Sequence, residues 1–282
     1  MWIKGNYRRN LMDMHIDDWN PEFLSKINVK EYVEALKDAG IQAAMVKGKP
    51  HTGLCNYPTK VGRMHRGLKG YDFLGDMVKT CHENGIAVIA YFTQIFDNWA
   101  YEEHPSWRVV TAEGKTFREY RHGEDFKSGR YGIVCPNNPE YREYVKACLT
   151  EMNTMYDFEG MFLDMTFFPE VCYCASCRER YKKETGKELP RKIDWKDQDW
   201  LDFVYRRDLW MADYANFATA CVKAVKPHVT IEHQFSRITG GWVDGSSELL
   251  TEAIDYCGGD YYGGFLQQTF INKYYKNVSP NL

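Results

Sequence analysis

A chain of 282 residues, 44% apolar, 27% charged and 15% aromatic, has the make-up of a folded globular protein and excludes disordered, collagen-like and low-complexity classes. Lys and Arg number 36 against 39 Asp and Glu, a net charge of −3 without long blocks, so no nucleic-acid stripe and no basic membrane face are expected. No window approaches the ~18 apolar residues of a membrane span, and the residues after Met1 carry no apolar signal core, which predicts a cytoplasmic location.

Leu11–Ile16 is the first strand candidate. Val29, Tyr32, Val33 and Leu36 then recur on one helical face, closed by Gly40, and Ile41–Val46 is a second apolar run of strand length. The device repeats. Leu74, Met77, Val78 and Cys81 mark a helix stopped by Gly85, and Ile86–Phe92 is the clearest buried strand. Asn138-Pro139 caps a long helix that leads into the strand Gly160–Asp164. A helix from about Trp200 to Val225, stopped by Pro227, leads into Val229–His233; another begins at Ser246-Ser247-Glu248 and gives way to Ile254–Tyr256. Helices alternating with apolar strands predict an α/β fold with a parallel sheet, of (βα)8 TIM-barrel type, with a doubly wound open sheet as the alternative. About six βα units can be counted. Too few residues follow Gly264 for two more, at about 30 residues each, so residues 1–282 are expected to be one barrel domain cut short at its C-terminal end, lacking strands seven and eight and poorly active alone.

Sites in parallel α/β folds lie at the carboxyl ends of the strands. Asp164 ends an otherwise apolar strand, where an unused carboxylate is costly to desolvate. Glu232 ends the next strand after Ile231. Carboxylates on neighbouring strands, about 4.8 Å apart, can flank a small pocket as a nucleophile and an acid/base do in retaining glycosidases. His15, Asp17, Tyr91 and His233 lie at or just beyond other strand ends, with Trp19, His51, Asp260 and Tyr261 in the loops that follow; hydrogen bonds and ring stacking to a sugar are the expected roles. Histidines with carboxylates would also suit a metal-dependent hydrolase, although no His-x-His follows strand one. Cys172, Cys174 and Cys177, in a C-x-C-x-x-C array, with Cys135 as fourth ligand, fit a structural tetrahedral zinc joining two long loops. No organic cofactor is expected.

The runs Arg9–Trp19, Cys135–Glu143, Phe162–Phe167 and Glu232–Phe235 resemble the hypothetical glycosyl hydrolase family 6 domain, related to the alpha-L-fucosidases of glycoside hydrolase families 151 and 29. The resemblance implies a retaining glycosidase of α-linked sugars, L-fucose first, with Asp164 as nucleophile in a pattern like that of family 29. His51-Thr52-Gly53 partly matches that family's histidine-glycine motif after strand two. Glu232 as acid/base rests on its strand-end position. The four cysteines resemble the zinc ligands of family 42 beta-galactosidases, yet Met165 and Thr166 stand where those enzymes carry an Asn-Glu pair. A carbohydrate substrate is expected, with no nucleic acid and no membrane as partners, and assembly of the full-length protein into a homo-oligomer stays open. A family 42-like galactosidase, a metal-dependent barrel hydrolase and a non-catalytic carbohydrate-binding barrel are the alternatives.

Overall fold

The computed structural model describes residues 2–121 and 130–279. In chain order the strands are β1 (Arg9–Leu11), β2 (Ala43–Lys49), β3 (Leu54–Cys55), β4 (Arg63–Met64), β5 (Ala87–Thr93), β6 (Gly160–Asp164) and β7 (Thr230–His233). The short β3 and β4 pair with each other, and the other five form one parallel sheet in the order β1-β2-β5-β6-β7. The helices are α1 (Val29–Asp38), α2 (Phe73–Glu83), α3 (Asn98–Glu103), α4 (Phe117–Arg121), α5 (Pro139–Met155), α6 (Ala175–Thr185), α7 (Gln198–Val225) and α8 (Phe265–Val278).

Local chemistry sets the ends of these elements. Asn28, Asp72 and Asn138 cap α1, α2 and α5 by accepting hydrogen bonds from the amides of Glu31, Gly75 and Tyr141. Gly40 and Gly85, at φ of 67° and 70°, turn the chain out of α1 and α2 towards the following strands. Side chains then alternate between two faces. In β5, Val88, Ala90 and Phe92 join the main core with residues of α1, α2, α5 and α7, whereas Ile89 and Tyr91 pack with Ala43 and Phe162 in a separate small cluster on the opposite face. These four long helices thus pack on one face of the sheet, as in a βα barrel and unlike a doubly wound sheet.

The expected elements are largely present, with three differences. The first strand is Arg9–Leu11, and residues 12–16 run on outside the ladder. The stretch from Ser246 forms a 3-10 helix at Glu248–Ala253. Ile254–Tyr256 makes no strand; the parallel bridge between Gln234 and Gly258 is what the described residues show of a sixth. Among the described residues the sheet ends at β1 and β7, and the barrel is not closed.

An irregularity between Lys47 and Lys49 in β2 turns these two lysines to opposite faces: Lys47 is in register with Tyr91, and Lys49 with Phe92. Lys49 is thereby buried on the helix side, where its ammonium meets the equally buried Asp97. The other oxygen of Asp97 caps α3 through the amide of Ala100 at 2.9 Å. Removing either partner leaves a charge without its counter-ion in a low-dielectric interior. Asp97→Ala should cost about 3–5 kcal/mol in denaturant unfolding. Combining it with Lys49→Met should cost less than the sum of the two single changes.

Candidate active site

Register decides which groups meet. Lys47 pairs with Tyr91, Tyr91 with Phe162 and Phe162 with Glu232, so these side chains share the inner face. Asp164, two residues beyond Phe162, returns to that face one layer higher. It lines a cleft of about 320 Å³ with Asp13, His15, Lys47, His51, Tyr91 and Asp260, among others.

Two donors hold the Asp164 carboxylate, and His51 stands beside it. The Tyr91 hydroxyl donates to Oδ2, the amide of Met165 donates to Oδ1 at 2.8 Å, and His51 Nε2 stands 3.6 Å from Oδ2. Met165 itself takes a left-handed φ of 64°. Neighbouring hydrogen bonds fix both imidazole tautomers. The Thr93 hydroxyl donates to the Phe96 carbonyl at 2.7 Å, so it accepts from His51 Nδ1 at 2.8 Å and leaves Nε2 bare towards Asp164. His15 Nδ1 accepts the His51 amide at 3.0 Å, so its Nε2–H points to Asp13 at 2.9 Å. The two rings stack at 3.8 Å. Lys47 lies 2.9 Å from Asp13 with its ammonium over the Tyr91 ring.

Burial sets the protonation of this cluster. It raises Asp164 to about 6 and Glu232 to about 7, and it raises Asp260 as well. Burial, followed by Lys47, lowers His15 to about 4, and burial followed by His15 and Lys47 takes His51 well below the imidazole range. At neutral pH the cleft therefore holds two neutral imidazoles beside an ionised Asp164.

The other expected residues divide. Glu232, level with Phe162, lies one layer below Asp164 and does not line the cleft; Gly258 covers it so closely that a Cβ there would sit 1.7 Å from Oε1. His233 faces the other way, because neighbours on a strand point to opposite faces. It is fully buried, with Nδ1 at 2.8 Å from the Thr166 hydroxyl and Nε2 at 2.9 Å from that of Thr219 on α7. Asp17 and Trp19 line a different cleft of about 340 Å³, beside the Arg63 and Arg66 side chains that bind the buried Asp18. Tyr261 lines an adjoining cavity of about 310 Å³, and Asp260 lines both that cavity and the Asp164 cleft. Asp13, Lys47 and Tyr131, to which the sequence had given no site role, also line the cleft. For Lys47 a signal existed, a charge in an apolar strand with the inward parity of Met45.

The four cysteines converge. The Sγ atoms of Cys135, Cys172, Cys174 and Cys177 are buried and lie within 4.8 Å of one another, with Cys135 and Cys177 at 3.4 Å. Cys174 stands at the N-cap position of α6 and Cys177 lies in its first turn. The Tyr173 amide donates to the Val110 carbonyl at 2.7 Å and so ties the loop after β6 to the loop after β5, within which the Cys135 amide donates to Trp107 at 2.7 Å.

A parallel sheet with helices outside and ionisable groups gathered at its strand ends is the plan of a βα barrel. Residues 28–165 match the model of the family described as hypothetical glycosyl hydrolase 6. The chain is similar to glycosyl hydrolase YngK of Bacillus subtilis (strain 168), with 24% identity, over 71% of this chain and 38% of that protein. It is similar in fold to alpha-L-fucosidase isoenzyme 2 from Paenibacillus thiaminolyticus, at a TM-score of 0.67 and 22% identity, covering 89% of this chain and 35% of that one. The PgaB (BpsB) glycoside hydrolase domain from Bordetella bronchiseptica gives 0.67 at 12% identity, covering 89% and 73%. Gan42B, a family 42 beta-galactosidase from G. stearothermophilus, gives 0.64 at 16%, covering 93% and 43%. The chain thus spans well under half the length of YngK, the fucosidase and Gan42B.

Glu232 offers a test of the buried electrostatics. Its folded value lies above the unfolded one, so the stability it contributes is full below about pH 4 and declines as pH rises through about 7. Relative to the native chain, Glu232→Gln should gain stability between pH 5 and pH 8, on the order of 3 kcal/mol, in denaturant unfolding. Equal pH dependence in the two proteins would contradict this environment for Glu232.

Proposed function

We propose that this chain carries the nucleophile half of a retaining glycoside hydrolase acting on α-linked sugars, with L-fucose the first candidate. The observation that carries the reading is Asp164, a buried carboxylate at the mouth of the inner face, oriented by the donors Tyr91 and Met165 and open to a cleft of monosaccharide scale. Asp164 attacks the anomeric carbon and water later releases the sugar. The choice of L-fucose rests on the sequence resemblance of Gly160–Asp164 and the loops around it.

A proton donor must reach the glycosidic oxygen from the cleft. Sequence position favoured Glu232; lining favours Asp260, which borders both the Asp164 cleft and the adjoining cavity. In this reading Asp260 donates to the leaving oxygen and then activates water, while Glu232, protonated for part of the time at neutral pH, braces the layer below. Neutral His15 and His51, with Lys47, bind hydroxyls. Two observations weigh against the other enzyme readings. Among the described residues the cleft's histidines and carboxylates bring no three donor atoms to one point, as a catalytic metal would require. Thr166, at the acid/base position of family 42, is buried against His233.

The cysteine cluster fits zinc. Four thiolate donors at about 2.3 Å from a tetrahedral ion lie about 3.8 Å from one another, close to the spacing of these buried sulfurs. Cys135, Cys172, Cys174 and Cys177 would hold the ion, which would cross-link the loops after β5 and β6 and take no part in the reaction. A reducing cytoplasm suits nine free cysteines.

Asp164→Asn should lower kcat on 4-nitrophenyl glycosides by at least about a thousandfold while binding is kept, and an active variant would sink the nucleophile assignment. Metal analysis of purified protein should find one zinc per chain. Cys174→Ser should lose it and lower Tm; metal-free protein of unchanged stability would contradict the zinc site.

A further inference from the structure

The cavity beside the Asp164 cleft has a lining that the hydrolytic reading leaves unused. It measures about 310 Å³ and meets the cleft at Met165, Asp260 and Tyr262, which border both. Gln234 lines it from the strand end beyond Glu232. This residue is 4% exposed, and its carbonyl oxygen is buried with no hydrogen-bond partner among the described residues. A buried amide oxygen left unpaired is costly, and a bound hydroxyl would satisfy it. Gln267 and Gln268, at the start of α8, bring two more amides to the same wall, and Phe167 and Tyr261 supply ring surface. The cation at this wall, Arg237, is engaged by Asp244 at 2.9 Å, so among the described residues the lining offers an anionic ligand no free positive charge.

We infer that this cavity is the leaving-group subsite, which takes one neutral, hydroxyl-rich sugar ring, with the buried carbonyl of Gln234 accepting a hydrogen bond from a ring hydroxyl. The inference rests on Asp164 acting as nucleophile, since the leaving sugar lies across Asp260 from it. Amides recognise hydroxyls through paired donors and acceptors, and the rings cover the apolar face of a pyranose. The small volume matches one ring rather than a long oligosaccharide.

The test compares two substrates of the same fucosyl group. One is L-fucose α-linked to galactose, whose leaving group offers hydroxyls; the other is 4-nitrophenyl α-L-fucoside, whose leaving group offers none. Gln234→Leu should lower the ratio of kcat/KM for the disaccharide over the nitrophenyl fucoside by tenfold or more. Gln267→Ala, an exposed change with little risk to folding, should move the ratio in the same direction by threefold or more. Ratios within twofold of the native value in both variants would overturn the subsite. Should the native protein cleave neither fucoside, the nucleophile reading falls, and the cavity is judged separately by saturation-transfer NMR with free galactose. Transfer that is present in the native protein and lost in Gln234→Leu supports a neutral-sugar site; transfer that is absent, or unaltered by the change, overturns it.

Discussion

The in-register pairing of β2, β5, β6 and β7 is the constraint from which the rest of the site follows. Parallel register sends every second side chain to the inner face at matched heights, so Lys47, Tyr91 and Phe162 arrive in one layer and Asp164 in the next. A slip of one residue in β6 would turn Asp164 towards the helices and Leu163 into the cleft. The irregularity in β2 belongs to the same logic. It keeps Lys47 on the inner face while sending Lys49 to the helix side, where Asp97 neutralises it.

Around that register the structure layers its polar chemistry by depth. Deepest is Glu232, sealed by the backbone of Gly258 and facing Arg9 and Tyr256; it sits where a carboxyl is easier to keep as an acid. Above it, Tyr91 and the amide of Met165 hold Asp164 as an acceptor, and the bare nitrogen of His51 adds no competing donor. The two stacked imidazoles remain neutral because burial and Lys47 oppose their protonation, so they offer polarity without positive charge. The loops that complete this arrangement are long, and the cysteine cluster ties two of them where the sheet itself cannot reach.

Much of this was legible in the sequence, for reasons that differ by residue. Asp164 stood out because a charge ends an apolar strand, and the helix stops at Gly40 and Gly85 marked where strands begin. The cysteines were readable from ligand type and spacing. His233 was misplaced because a strand-end position does not decide the face: consecutive strand residues point to opposite faces, and Glu232 takes the inner one. Asp17 and Trp19 follow the first strand in sequence, but the chain leaves the ladder after Leu11 and carries them to a separate cleft beside Arg63 and Arg66. Asp260 was expected from its loop position and lines the cleft, whereas Asp13 and Tyr131 were missed because periodicity does not encode which segments beyond the strands fold over it.

A nucleophilic Asp164 forms a covalent bond to the sugar, and that bond can be trapped. Incubation with a 2-deoxy-2-fluoro-fucosyl fluoride, whose fluoride leaves while the neighbouring fluorine slows release of the sugar, should add one deoxyfluorofucosyl group per chain. Peptide mass analysis should then place it on the Asp164 carboxylate. A label on any other carboxylate, Glu232 and Asp260 included, would contradict the account.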